Sequence, residues 1–188
     1  MARIPYRDLA TAPAELRELL AGFPPLNIFR MLAHAEKLMR GFGQLGSAIL
    51  GRATLDPRLR ELAILRVARR SPAAYEWQQH VPIARATGAS ETDIAALERD
   101  DCDAPCFGAR ERALLRFTDE LLAAPRASDD ALAAMRAAFG DEELCEVILT
   151  VGYYMMVARF LETTGVDLET GGGNDATVTA MLDRLRRS

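Results

Sequence analysis

Apolar positions along this chain recur mostly at intervals of three and four, the spacing that lines up side chains on one face of an α-helix. In NIFRMLAHAEKLMRGF the recurring set is Ile28, Met31, Leu32, Ala35 and Leu38, so one stripe of that helix is expected to be buried, with Asn27 as its N-cap. A shorter helix over 13–21 precedes it, opened by Pro13 and closed by Gly22-Phe23-Pro24-Pro25. Residues 1–12 read as an extended arm. Gly41 and Gly43 are expected to break the chain before another short helix over 45–50.

Asp56-Pro57 is a strong helix start, an N-cap residue followed by proline at the first helical position. Leu59, Leu62, Ala63, Ile64, Leu65, Val67 and Ala68 follow and cover more than one face, which predicts a central helix. Ser71-Pro72 separates it from a helix over 72–87, capped by Ser71, bent just after His80 by Pro82 and stopped at Gly88. Ser90-Glu91-Thr92-Asp93 has the capping-box order and opens a helix with Ile94 and Leu97. Helices are also predicted over 109–123, 131–139 (capped by Ser128) and roughly 142–163. The middle of the last, LTVGYYMMVARFL, is strongly apolar but reads as too short and too interrupted to span a bilayer; a core helix or subunit interface is expected. Gly171-Gly172-Gly173 then forms a flexible joint to a final helix over 175–187, with Val178, Met181, Leu182 and Leu185 on one side. There is no strand pattern and no solenoid-type repeat. The expected architecture is all-α, eight to ten helices in a compact domain over 1–170 (core 25–170), with an amphipathic tail over 171–188.

The totals narrow the function classes. A chain of 188 residues with a formal charge of −4 is long enough for a real core and lacks the basic excess of a nucleic-acid binder. The N-terminus has no apolar stretch of signal type, so the expectation is a cytoplasmic protein without a membrane span. Cys102, Cys106 and Cys145 are too few, and odd in number, for a disulfide framework. Cys102 and Cys106 stand as C-x3-C in DDCDAPCFG; the neighbouring Asp100, Asp101 and Asp103 are expected to raise their pKa values and make thiolates scarce. No dinucleotide or phosphate-loop motif is present, and no cofactor or metal is expected.

Candidate chemistry concentrates in the two central helices. Glu76 and His80 are four apart and share a helical face, so a carboxylate can fix the imidazole tautomer. Glu61 lies in the preceding helix, in an apolar run where a carboxylate must be paired or protonated. Glu61 and His80 stand ten residues before and nine after the Ser71-Pro72 joint. An antiparallel helix pair would put them at similar heights. His34, the other histidine, falls beside a buried stripe and reads as a packing or surface residue. Tyr75, Trp77, Tyr153 and Tyr154 are candidate pocket walls, because their rings are apolar and the tips polar.

With these residues in view, ELAILRVARRSPAAYEWQQHVPIARATG, flanked by LNIFRMLAHAEKLM and LCEVILTVGYYMMVARFLETTGVDLE, resembles the carboxymuconolactone decarboxylase-like family. That family includes the alkylhydroperoxidase D-like proteins, and the resemblance covers about residues 25–170. It implies an all-helical domain assembling as homotrimers or hexamers, with an active site near a subunit boundary and a small-molecule substrate. The peroxidase branch carries a glutamate, a C-x-x-C pair and a histidine four residues beyond it. Glu61 and His80 match the first and last; Ala73 and Glu76 stand where the two cysteines would be. Without a thiolate there the peroxidase mechanism lacks its nucleophile, and the chain resembles the cysteine-less YEW-x-x-H subgroup. The expected activity is that of an enzyme on a small organic acid, lactone or related carbonyl compound, in which Glu76 and His80 move protons and Glu61 orients the histidine or relays a proton, by decarboxylation or lactone conversion. The alternatives weighed against it are a peroxidase using Cys102 and Cys106 and a non-catalytic ligand-binding oligomer.

Overall fold

A helix over Pro57–Arg70 is buried through ten successive positions, 59–68, and the helices over 74–86, 91–98 and 109–123 pack against it. The computed structural model describes residues 1–169, so the glycine joint and terminal helix expected at 171–188 lie outside the described residues. The helices, in chain order, are α1 Ala14–Ala21, α2 Asn27–Leu32, α3 Glu36–Gly51, α4 Pro57–Arg70 and α5 Ala74–Ala86. They continue with α6 Glu91–Glu98, α7 Ala109–Ala123, α8 Asp129–Ala138 and α9 Asp141–Thr164. With one 3-10 turn at Ala33–Ala35 and no strand among the described residues, the all-α expectation holds. The described residues divide into two compact units, one of Met1–Arg52 with 160–169 and one of Ala53–Arg159.

In the first unit, Ala12, Leu16, Ala33 and Met39 form the core, with Leu19, Leu20, Phe23 and Phe29 packed against it. Three expectations fail here for physical reasons. Gly41 and Gly43 do not break the chain: α3 runs unbroken through both. A Cβ added at Gly43 would lie 2.4 Å from the Phe23 ring, so that glycine allows a close approach and its contact offsets its poor helix propensity. The real interruption comes earlier. The 3-10 turn at 33–35 shifts the helical phase, burying Met39 and leaving Leu38, expected inside, 72% exposed. Asn27 is not the N-cap either. It is the first residue of α2 after Leu26, and its side chain donates to the Asp167 carbonyl at 3.1 Å. The arm over 1–12 is tied down: Arg3 N–H donates to the Thr164 carbonyl at 2.8 Å, and the Tyr6 hydroxyl donates to Asp167 at 3.1 Å. His34 is exposed, with Nε2 2.8 Å from the Pro5 carbonyl.

The second unit is built around α4. Its start is as expected, with Asp56 accepting from the Leu59 amide at 3.0 Å and Pro57 in the first turn. Leu62, Ala63, Ile64, Leu65 and Val67 are fully buried. At about 1.5–3 kcal/mol for each large apolar side chain, this helix is a main source of the unit's stability. Charged pairs fasten it at both ends. Arg58 meets Asp93 of α6 at 2.9 Å and Glu111 of α7 at 2.8 Å. Arg66 grips Asp119 of α7 with two bonds of 2.7 Å and also pairs with Asp100.

The capping box at Ser90 and Asp93 forms as expected, and Gly88 takes the left-handed conformation at φ +101° just past α5. Ser71 does not cap α5: that helix begins at Ala74 after Ala73, with no side-chain cap. Helix α9 corrects a further expectation, since it is a single helix of 24 residues, long and apolar enough by length and composition to cross a membrane. Half of its apolar window is buried inside the protein, as in a core helix. Near its start, Glu146 accepts from the Thr54 and Leu55 amides at 2.9 and 2.7 Å, fixing α9 to the entry of α4.

Two glycine substitutions separate packing from propensity. Gly43→Ala is expected to destabilise the protein by about 1–3 kcal/mol through the clash with Phe23. Gly41→Ala, whose Cβ would meet nothing within 4 Å, is expected to stabilise by up to about 1 kcal/mol. Urea denaturation midpoints of the two variants check both signs.

Candidate active site

The short link between α4 and α5 returns the chain alongside α4, and the two helices pack closely along their length. The equal offsets from that link carry through: His80 Nδ1 lies 2.8 Å from Glu61 Oε2, with both groups buried. A carboxylate only accepts, so Nδ1 donates this hydrogen bond and Nε2 is the ring nitrogen that faces away from it. Nε2 has no hydrogen-bond partner among the described residues. Glu61 is 0% exposed, and its other oxygen accepts from Arg60 Nε at 3.2 Å. The carboxylate that orients His80 is therefore Glu61's, not that of Glu76 four residues away on the same helix. An interhelical partner supplies the geometry expected of the i, i+4 neighbour.

Helix α9 contributes the aromatic side. The Tyr154 ring meets the His80 ring edge-on, centroids 4.8 Å apart at 88°, and Tyr153 stands against Tyr154 at 5.3 Å. Burial pushes the Tyr154 hydroxyl well above its ordinary pKa, and the charges of Glu61 and Glu76 add to the rise. Tyr153 is also raised by burial. Both phenols thus hold their protons and serve as neutral walls or donors. Glu76 is 2% exposed, and its charge reaches the Tyr154 hydroxyl. Tyr75 is buried on the same helix. Trp77 is only half-buried, and its side chain makes no hydrogen bond or ring contact among the described residues.

Sequence reasoning missed Arg60. It sits beside Glu61 near the start of α4, where an arginine looks like an ordinary solvated charge. The available signal was the breadth of the apolar pattern: a helix buried on more than one face has its polar positions inside too. Among the described residues, no group of three or more His, Cys, Asp or Glu side chains is placed to hold a metal ion.

All three cysteines are free. The Cys102 thiol is pushed up to about 11, chiefly by burial; Arg66 opposes the rise, and Asp119, Asp100 and Asp103 add to it. Cys106 is also raised, by burial first and then by Asp93. The expected direction holds, although burial rather than the neighbouring aspartates leads.

With the geometry in place, comparison with known proteins gives a consistent picture. The carboxymuconolactone decarboxylase family model matches residues 36–120, which include Glu61, Glu76 and His80. A peroxidase-related protein from Ralstonia eutropha JMP134, with an alkylhydroperoxidase AhpD core, superposes with a TM-score of 0.76 at 22% identity, covering 96% of each chain. A peroxidase-related protein from Silicibacter sp. TM1040 gives 0.75 at 18% identity, covering 92% of this chain and 93% of that one. The debrominase Bmp8, in complex with 2,3,4-tribromopyrrole, gives 0.72 at 17% identity over 98% of this chain and 100% of that one. No curated protein sequence matches the chain significantly. Over residues 36–120 the chain is similar to the carboxymuconolactone decarboxylase family, and its helical fold is that of these alkylhydroperoxidase- and peroxidase-related neighbours.

The raised Cys102 thiol has a signed consequence. Folded Cys102 keeps its proton up to about 11, whereas an ordinary thiol loses it near 9.0. Its contribution to stability is therefore present below pH 9 and lost as pH rises toward 11. Denaturation midpoints measured from pH 7 to 11 are expected to fall less steeply above pH 9 in Cys102→Ser than in the wild type.

Proposed function

We propose that the chain is an enzyme performing Glu/His proton transfer on a small organic acid, by decarboxylation or by conversion of a lactone or related carbonyl compound. The observation that carries this reading is the buried Glu61–His80 pair at 2.8 Å, with Nε2 of the imidazole left for substrate. In that arrangement Glu61 holds the ring in one tautomer and stabilises it when it takes a second proton. Nε2 is then base or, once protonated, acid. In a decarboxylation, the bond between carbon and the carboxylate breaks. Its electron pair moves into a carbonyl already on the substrate, and the imidazolium returns a proton to that carbon. Glu76, buried beside the same tyrosine, is the second carboxyl of the site.

Two observations weigh against thiol peroxidase chemistry. Ala73 and Glu76 occupy the places of the family's cysteines. Cys102 and Cys106 are held in their protonated, poorly nucleophilic form. The three free cysteines suit a reducing compartment, and a cytoplasmic location is part of the proposal.

Assembly into a homo-oligomer, trimer or hexamer, is a further part. Ile148, Leu149 and Met156 on α9 are 42%, 57% and 46% exposed. Ile148 also lines a groove of about 460 Å3 together with apolar residues of α7 and α9, among them Leu121, Leu122, Val151 and Met155. Apolar surface so arranged suits burial against another copy.

Turnover of small lactones and β-keto acids is expected to fall by about 10²–10⁴-fold in His80→Asn. It is expected to be unchanged in Cys102→Ser/Cys106→Ser. Equal rates in wild type and His80→Asn would remove the histidine from the mechanism. Loss of rate in the double serine variant would restore the thiol reading. Leu149→Glu is expected to lower the mass measured by light scattering, and an unaltered oligomer would exclude that face of α9 from the interface.

A further inference from the structure

Arg60 uses its hydrogen-bonding capacity unlike the other arginines of α4. Arg58 and Arg66 each meet two carboxylates, Arg70 meets Asp100 and Asp119, and Arg69 donates to the Glu98 carbonyl. Arg60 is 3% exposed, so it is more deeply buried than Arg58 or Arg70. Its polar contact among the described residues is the 3.2 Å bond from Nε to Glu61. A guanidinium carries five N–H donors in a planar fork. The four on Nη1 and Nη2 meet no acceptor among the described residues.

Adjacent residues on a helix do not face each other, so Glu61 takes Arg60 sideways by a single nitrogen. Its second oxygen is already engaged by His80. The contact leaves the double-nitrogen edge of the guanidinium without a counterpart. It also holds the cation in the catalytic cluster, where its charge lowers the otherwise raised pKa of the Tyr154 hydroxyl. A buried guanidinium needs an acceptor that is itself charged and preferably two-pronged, which is the shape of a carboxylate.

We infer that the Nη edge of Arg60 is the binding site for the carboxylate of the substrate, anchoring a small organic acid beside Glu61 and His80. This rests on the reading of the Glu61–His80 pair as the reaction site, and it names which group of the substrate the site recognises. The acid is held through two N–H donors, and the rest of the molecule extends toward the imidazole. A neutral amide or ester of the same shape lacks the second charged oxygen and loses that anchor. Arg60 acts here as a specificity-determining residue, separate from the proton transfers of His80.

The chain has two histidines, so ¹⁵N-histidine labelling of the full-length protein gives two imidazole spin systems, with the exposed His34 as internal reference. The probes are benzoate and its neutral isostere benzamide, titrated at constant ionic strength with sodium chloride. Benzoate is expected to shift the His80 signals saturably and leave His34 in place. Benzamide at tenfold higher concentration is expected to leave both in place. Arg60→Met is expected to weaken benzoate binding at least tenfold, and Arg60→Lys, which keeps the charge but loses the fork, to weaken it less. Circular dichroism establishes that each variant is folded. Should Arg60→Met fail to fold, the contrast between benzoate and benzamide and the weakened affinity of Arg60→Lys decide. Three outcomes overturn the inference: no saturable shift of His80 with benzoate, equal shifts with benzamide, or undiminished benzoate affinity in the folded variants. Failure of the proposed reaction is read separately, since unchanged turnover in His80→Asn would leave benzoate binding at Arg60 intact.

Discussion

A helix that is buried on all sides and still carries charge must find a partner for each ionised group, because an unpaired ion in a low-dielectric interior costs several kcal/mol. Helix α4 meets that demand differently along its length. At its two ends, Arg58 and Arg66 reach carboxylates on neighbouring elements and act as fasteners. In between, Arg60 and Glu61 face a different neighbourhood, that of His80 and Tyr154. The apolar positions of α4 hold the unit together, and its interior charges determine where polar chemistry can occur. One helix thus performs both tasks, which places the site in the best-packed part of the unit.

Much of this was legible beforehand because it depends on short-range rules. Asp56-Pro57, Ser90 with Asp93, and Ser128 act as caps through the residues next to them, and all three form as read. The meeting of Glu61 and His80 followed from counting residues on either side of a tight link. The misses depend on partners distant in sequence. Gly43 lies within a helix because Phe23 packs against it. The phase slip at Ala33–Ala35 exchanges Leu38 for Met39 without any glycine or proline to announce it. Arg60 looks like a surface charge until the surrounding helices close over it. Spacing offered His80 two carboxylates, Glu76 on its own helix and Glu61 across the link, and packing selects the second.

The chain matches the pattern of the peroxidase branch at a glutamate and a histidine but not at its thiols. Glu61 and His80 stand at the positions that match that branch, while Ala73 and Glu76 replace sulfur with a methyl group and a second carboxyl. A thiol pair exchanges electrons as well as protons, and a carboxyl–imidazole set exchanges protons alone. Of the cysteines that the chain does possess, Cys102 is half-buried and keeps its proton. The fold shared with peroxidase-related proteins and with a debrominase is therefore a scaffold on which the side chains, not the helices, select the chemistry.

Glu61 is fully enclosed, with one oxygen against Arg60 and the other against His80. Arginine does not release protons in proteins, so it offers no exit. Among the described residues, His80 is the one partner of that carboxylate able to pass a proton on, so the imidazole links a sealed charge to the rest of the site. The edge-on Tyr154 ring limits how far that link can turn.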